Sequence, residues 1–138
     1  MAVHSAQIRV STAGNGDVVN ITPGVEEIVE TAGMRDGLVN VFVAHSTAAI
    51  TLIEYEPGGV RDLGELLERL VPTSLDYHHN RMAGDTNAHA HLRAAVIGPS
   101  EAVPLKDGRV QTGTWQQFVL VDFDDRPRER SVMVQVVG

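Results

Sequence analysis

The chain has no cysteine and a single lysine, Lys106, against ten arginines. Without cysteine there is no disulfide framework, no thiol nucleophile and no thiolate zinc site. The formal net charge is −7 and no basic stripe is present to neutralise a run of phosphates, which argues against a nucleic-acid surface. No apolar run approaches the roughly 20 residues needed to span a membrane. The opening Met1-Ala2-Val3-His4-Ser5 lacks the basic and apolar blocks of a signal peptide. There is no internal repeat, linker or low-complexity segment. The expectation is one domain over residues 1–138, cytoplasmic, and long enough to bury a core without staples.

Histidine is what the chain has in one place. Four of its six histidines, His78, His79, His89 and His91, fall within 14 residues, together with Asp85, Asn80 and Asn87 and just after Asp76. Imidazole titrates near neutral pH and is the commonest metal ligand. A segment this polar is not core, so the cluster marks the candidate site.

Around it, hydrophobic patterning gives strands over Val3 to Val10 and Asp17 to Ile21, joined by the turn Gly14-Asn15-Gly16. Thr22-Pro23 starts a helix striped by Val25, Ile28 and Val29 and stopped by Gly33. Leu38 to Ala44 reads as a buried strand that delivers the chain to His45, with strand continuing through Ile50 and Leu52. Gly58-Gly59 breaks the chain before a second helix marked by Val60, Leu63, Leu67 and Leu70 and ended by Pro72. Leu92 to Ile97 reads as a strand, Asp107-Gly108 as a hairpin turn, and Val119 to Phe123 and Ser131 to Val137 as the closing strands. The sum is an α+β fold with a largely antiparallel sheet and two helices.

Each candidate residue has an ordinary explanation beside the functional one. His89 and His91 are two apart, so in a strand they share a face and can ligate one metal with His79 completing the set. Polar loops also collect such pairs by chance, and spacing leaves both readings open. His45, in Ala44-His45-Ser46-Thr47-Ala48-Ala49, is an acid, base or ligand on a strand end, or a histidine satisfied by a backbone carbonyl. His45 and Ser46 face opposite ways in a strand, which disfavours a serine hydrolase. Glu54, nine residues beyond His45, is a site carboxylate only if a bulge or turn reunites the two. The lone Trp115, in Gly113-Thr114-Trp115-Gln116, is core or an aromatic wall beside a pocket. Arg126, Arg128 and Arg130 alternate near Asp122, Asp124 and Asp125, as a self-paired turn or as a phosphate grip.

Taken in order, these segments resemble the YjbQ family, small bacterial and archaeal proteins regarded as secondary thiamine-phosphate synthases. The matching parts are His45-Ser46-Thr47-Ala48-Ala49 with Glu54 following, Tyr77-His78-His79, Asn87-Ala88-His89-Ala90-His91-Leu92, Gly98-Pro99-Ser100, Gly108, Gly113-Thr114-Trp115-Gln116, and Asp125-Arg126-Pro127-Arg128-Glu129-Arg130. Arg126 stands where the family has glycine, and Ile53 where an asparagine often precedes the glutamate.

The resemblance implies a YjbQ-like fold over the whole chain, α+β with mostly antiparallel β-sandwich-like sheets, assembled as a homotrimer with pockets close to the subunit contacts. It points to His45, His79 and His91 as the site imidazoles and leaves His78 and His89 as bystanders. Glu54 and Asp85 join the catalytic set. Asn87, Trp115, Gln116, Arg128 and Arg130 fall to substrate binding. It implies a weak thiamine-phosphate synthase activity, in which a pyrimidine pyrophosphate loses pyrophosphate and its methylene is captured by a thiazole phosphate nitrogen. A small phosphorylated metabolite is thus the expected partner, and a divalent metal, zinc or magnesium held by His45, His79 and His91, the candidate cofactor. Two other classes fit the same residues: a metal-dependent hydrolase or phosphatase, and a non-catalytic trimer that binds a small anionic metabolite. In a fourth reading the histidines serve subunit packing alone.

Overall fold

The strand Phe118-Val119-Leu120-Val121 is buried on both faces, and the molecule is organised about it. Phe118 and Leu120 point into one apolar cluster, Val119 and Val121 into another. A strand covered on both sides has no reason to alternate, which is why this run is apolar throughout. The structure is a computed structural model describing residues 1–138.

The elements in chain order are β1 (Val3–Thr12), β2 (Asp17–Asn20), α1 (Thr22–Ala32), β3 (Gly37–Val43), β4 (Ala48–Ile53), α2 (Pro57–Leu70), α3 (His78–Ala83), α4 (Ala88–Ile97), β5 (Ser100–Lys106), β6 (Arg109–Val110), β7 (Gln117–Asp122) and β8 (Arg128–Val137). Five strands pair in the order β1-β8-β3-β5-β6 and three in the order β2-β7-β4, every pair antiparallel. The two sheets and α1 enclose the larger cluster of 16 buried residues. The far face of the smaller sheet is closed by Leu67 of α2 and Ala90 and Ala94 of α4. The outer face of the larger sheet carries exposed Val3, Leu38 and Phe42.

The α+β class and antiparallel sheets agree with the sequence reading, but there are four helices where two were expected. Leu92 to Ile97 is not a strand. It is the body of α4, which runs from Ala88 to Ile97. Alanines at 88, 90, 94 and 95 favour helix. Ala90, Ala94 and Ile97 then form the i, i+4, i+7 stripe that packs on the smaller sheet. Gly58-Gly59 does not break the chain before α2 but lies within its first turn. The Glu56 carboxylate accepts from the Gly58 and Gly59 N–H groups at 2.8 and 2.7 Å and caps the helix, with Pro57 in the first turn. The Asp107-Gly108 turn behaves as expected, with both residues at positive φ (51° and 77°) between β5 and β6.

Candidate functional site

The end of β7 and the start of β8 carry a buried charge network that fixes the ground beneath the histidines. Arg130 donates to both oxygens of Asp122 at 2.7 Å and to Thr47 Oγ1 at 2.8 Å. Thr12 Oγ1 also donates to Asp122. Arg128 donates to Asp124 at 2.8 Å, and Asn87 Nδ2 and Thr47 Oγ1 donate to the same carboxylate at 3.3 Å. The network therefore clamps β1, β8, the turn between β3 and β4, and the start of α4 to one point.

His45 sits in that β3–β4 turn, over the network. Its Nε2 accepts from the Ser131 N–H at 3.4 Å, which places the ring proton on Nδ1. Burial, followed by the positive charge of Arg130, pulls its pKa below the ordinary 6.5 against the opposing field of Asp122. His45 is accordingly neutral at neutral pH.

His91, on α4, stands between His45 and His79. On one side it lines a shallow hollow with His45, Ser46, Ala48, Ala94, Ala95 and Pro99. On the other its ring meets that of His79 edge-on, with centroids 4.7 Å apart. His79, on the short helix α3, has Nε2 3.8 Å from Asp85 Oδ2. Gly84, at φ 65°, ends α3 in the left-handed conformation and turns the chain so that Asp85 comes back to His79. Asn80 Oδ1 accepts the Ala88 N–H at 3.0 Å and ties α3 to the start of α4, setting the distance between the two imidazoles.

One group of expected residues is thus brought together: His45, His79, Asp85, Asn87 and His91, with Arg128 and Arg130 below. A second group is elsewhere. Glu54 leaves the opposite end of β4, six residues past Ala48, about 20 Å away along the strand. Trp115 and Gln116 lie at that far end too, just before Gln117, which pairs with Ile53. Trp115 is exposed, and Gln116 Oε1 accepts from the Gly113 N–H at 2.8 Å. No bulge or turn reunites Glu54 with His45 within the chain.

The shared-face argument for His89 and His91 fails because they lie on a helix, where two residues apart means about 200° of rotation. His91 faces the hollow, whereas His89 is buried on the other side. No three histidine, aspartate or glutamate side chains converge in a geometry that would hold a metal ion. Arg128 and Arg130 are already engaged with carboxylates, though Arg128 remains one-third exposed. The supporting roles of Asp122, Asp124 and Thr47 went unassigned in the sequence. The alternation of arginines with nearby aspartates was their only signal.

The family model for "UPF0047 protein YjbQ-like" matches residues 6–138. A UPF0047 protein of Methanothermobacter thermautotrophicus is 37% identical over all of this chain and 94% of its own length. One from Archaeoglobus fulgidus is 40% identical over 95% of this chain and 99% of its own. Among solved structures, a YbjQ-like protein of unknown function from Sulfolobus solfataricus superposes with a TM-score of 0.95 at 39% identity, covering 99% of this chain and 98% of that one.

Proposed function

The chain belongs to the YjbQ-like UPF0047 family, and from that premise we propose that the His45, His79 and His91 cluster is an acid–base centre acting on a small phosphorylated metabolite. The observation that carries the proposal is the edge contact of His79 and His91, with Asp85 3.8 Å behind His79. A carboxylate beside an imidazole orients the ring for proton transfer, the arrangement general acid–base catalysis requires. Neutral His45 across the hollow supplies the complementary partner. An imidazole able to take a proton and a carboxylate-backed one able to pass it on thus flank His91.

The reaction assigned to this centre is thiamine-phosphate formation. The C–O bond between the pyrimidine methylene and pyrophosphate breaks, and the electron pair leaves with the pyrophosphate. The thiazole nitrogen supplies the lone pair for the new C–N bond. His79, oriented by Asp85, hydrogen-bonds the departing pyrophosphate or passes it a proton. Arg128 offers the remaining positive edge. No protein-held metal enters the scheme.

The proposal extends to a homotrimer, supported by the open outer sheet face with Val3, Leu38 and Phe42 and by the distance between the two groups of candidate residues. In such an assembly Glu54, Trp115 and Gln116 of one copy complete the histidine group of its neighbour. Light scattering gives the mass. Mixing His79→Ala with Trp115→Ala chains then recovers activity if the groups are shared.

The direct test incubates purified protein with the two phosphorylated precursors and follows thiamine phosphate, alongside rescue of a synthase-deficient strain. Neither product nor rescue would sink the assignment. Chelator-sensitive hydrolysis of simple phosphate esters in the same preparation would replace it with a metal-dependent phosphatase.

A further inference from the structure

On the face of α4 turned away from the histidine hollow lies a separate cleft, between α2, β7 and the Gly14–Gly16 turn. It has a volume of about 240 Å³. Its apolar walls are Val18, Leu63, Leu67, Val121 and Phe123. Its polar side is made by His89 and Arg93, one helical turn apart on α4, with Glu68 and Thr73 opposite.

Two features of these polar groups point to a ligand. His89 is 4% exposed and lines the cleft; its Nδ1 is sealed from solvent, whereas its Nε2 enters no hydrogen bond and is the ring atom left for an occupant. Arg93, also buried, donates from Nε and Nη2 to the Val71 carbonyl and from Nη2 to Glu68 and Thr73, while Nη1 enters none of these bonds. Two N–H donors of a rigid guanidinium that lines the cleft are therefore unspent.

Charge decides what kind of molecule belongs there. Arg93 is cancelled by Glu68 at 2.6 Å. Burial, then the field of Arg93, lowers the His89 pKa below 6.5, so that ring is neutral as well. The polar side is thus rich in hydrogen bonding and carries no net charge, which suits neither a phosphate nor a cation. The volume falls below the ~300–1,000 Å³ of pockets for drug-sized ligands, which limits the occupant to about one ring.

We infer that this cleft is a second small-molecule site, independent of the histidine hollow, which takes an uncharged, single-ring nitrogen heterocycle. A ring acceptor atom meets Arg93 Nη1, a polar edge meets His89, and the flat faces lie against Val18 and Leu63, the less buried of the apolar walls.

The site can be closed without touching its polar groups. Gly64 of α2 lines the cleft, and a Cβ placed on it meets no atom within 4 Å. Gly64→Leu therefore fills the cleft while improving helix propensity. The experiment titrates 2-aminopyrimidine into the ¹⁵N-labelled full chain and follows the amides of residues 61–68 and 88–94, with inorganic phosphate titrated separately. Saturable shifts confined to these segments, abolished in Gly64→Leu and weakened at least tenfold in His89→Phe, are expected. Three results would overturn the inference: no saturable shift at millimolar probe, shifts that persist in a folded Gly64→Leu chain, or tighter saturation of the same amides by phosphate.

Discussion

Arg130 grips both oxygens of Asp122 at 2.7 Å with the two side chains almost wholly out of water. Breaking a buried pair from one side strands the other charge. Arg130→Met is expected to cost about 3–5 kcal/mol of unfolding free energy in urea. Asp122→Leu combined with Arg130→Met should return a good part of that loss. A single variant as stable as the parent would show that the network contributes little.

Acid should weaken the fold through Asp124. Burial opposes ionisation of this carboxyl, but the Asp125 N–H, Arg128 and Asn87 overcome it and hold the pKa at about 2, below the ordinary 3.8. A lowered folded-state pKa gives stability that is complete above the unfolded value and is lost as pH falls through the folded one. The urea midpoint should therefore fall between about pH 4 and pH 2, with Asp124 accounting for about 1–2 kcal/mol. Asp124→Asn should flatten that stretch of the profile.

His45 should titrate below 6.5, because burial and Arg130 disfavour its charged form. Its contribution to stability is present above the ordinary histidine range and is lost as pH drops through the depressed value. NMR of the ring carbons reads the midpoint directly. A value at or above 6.5 would contradict the placement of His45 over the arginines.

His79 is partly exposed, with Asp85 and the His91 ring beside it. His79→Ala should move stability by no more than about 0.5 kcal/mol. On the proposed function it should lower turnover by about 10²–10⁴-fold, as expected of a group that handles a proton. Full turnover in His79→Ala would remove it from the mechanism.

Two glycines should respond oppositely to alanine. Gly14 sits at φ 75° and its added Cβ would collide with the Arg126 carbonyl, so Gly14→Ala should cost more than about 1 kcal/mol. Gly64 lies in a helix with open space beside it, and Gly64→Ala should gain up to about 1 kcal/mol. Thermal melting of the pair checks both signs.

The strands and the first two helices were legible because their burial is one-sided and periodic. β1 alternates exposed and covered residues along its length, and α2 shows Leu63, Leu67 and Leu70 at helical spacing. α4 was misread because its buried face is built from alanine, histidine and arginine rather than large apolar residues. Arg93 reaches Val71 and Glu68 and fills the space a leucine would occupy, and no periodicity scan credits that. The hollow joining His45 to His91 depends on contacts between segments some 45 residues apart. Only family resemblance, not spacing, grouped them. The same resemblance also grouped Glu54 and Trp115 with them, and a single chain holds those at the other end of β4.

α4 is a stiff rod of ten residues with His91 on one flank and His89 and Arg93 on the other. Leverage follows from that stiffness. A helix of this length moves on its packing as one body, because it bends far less readily than it pivots. His91 cannot be repositioned on one flank of the helix without carrying His89 and Arg93 on the other.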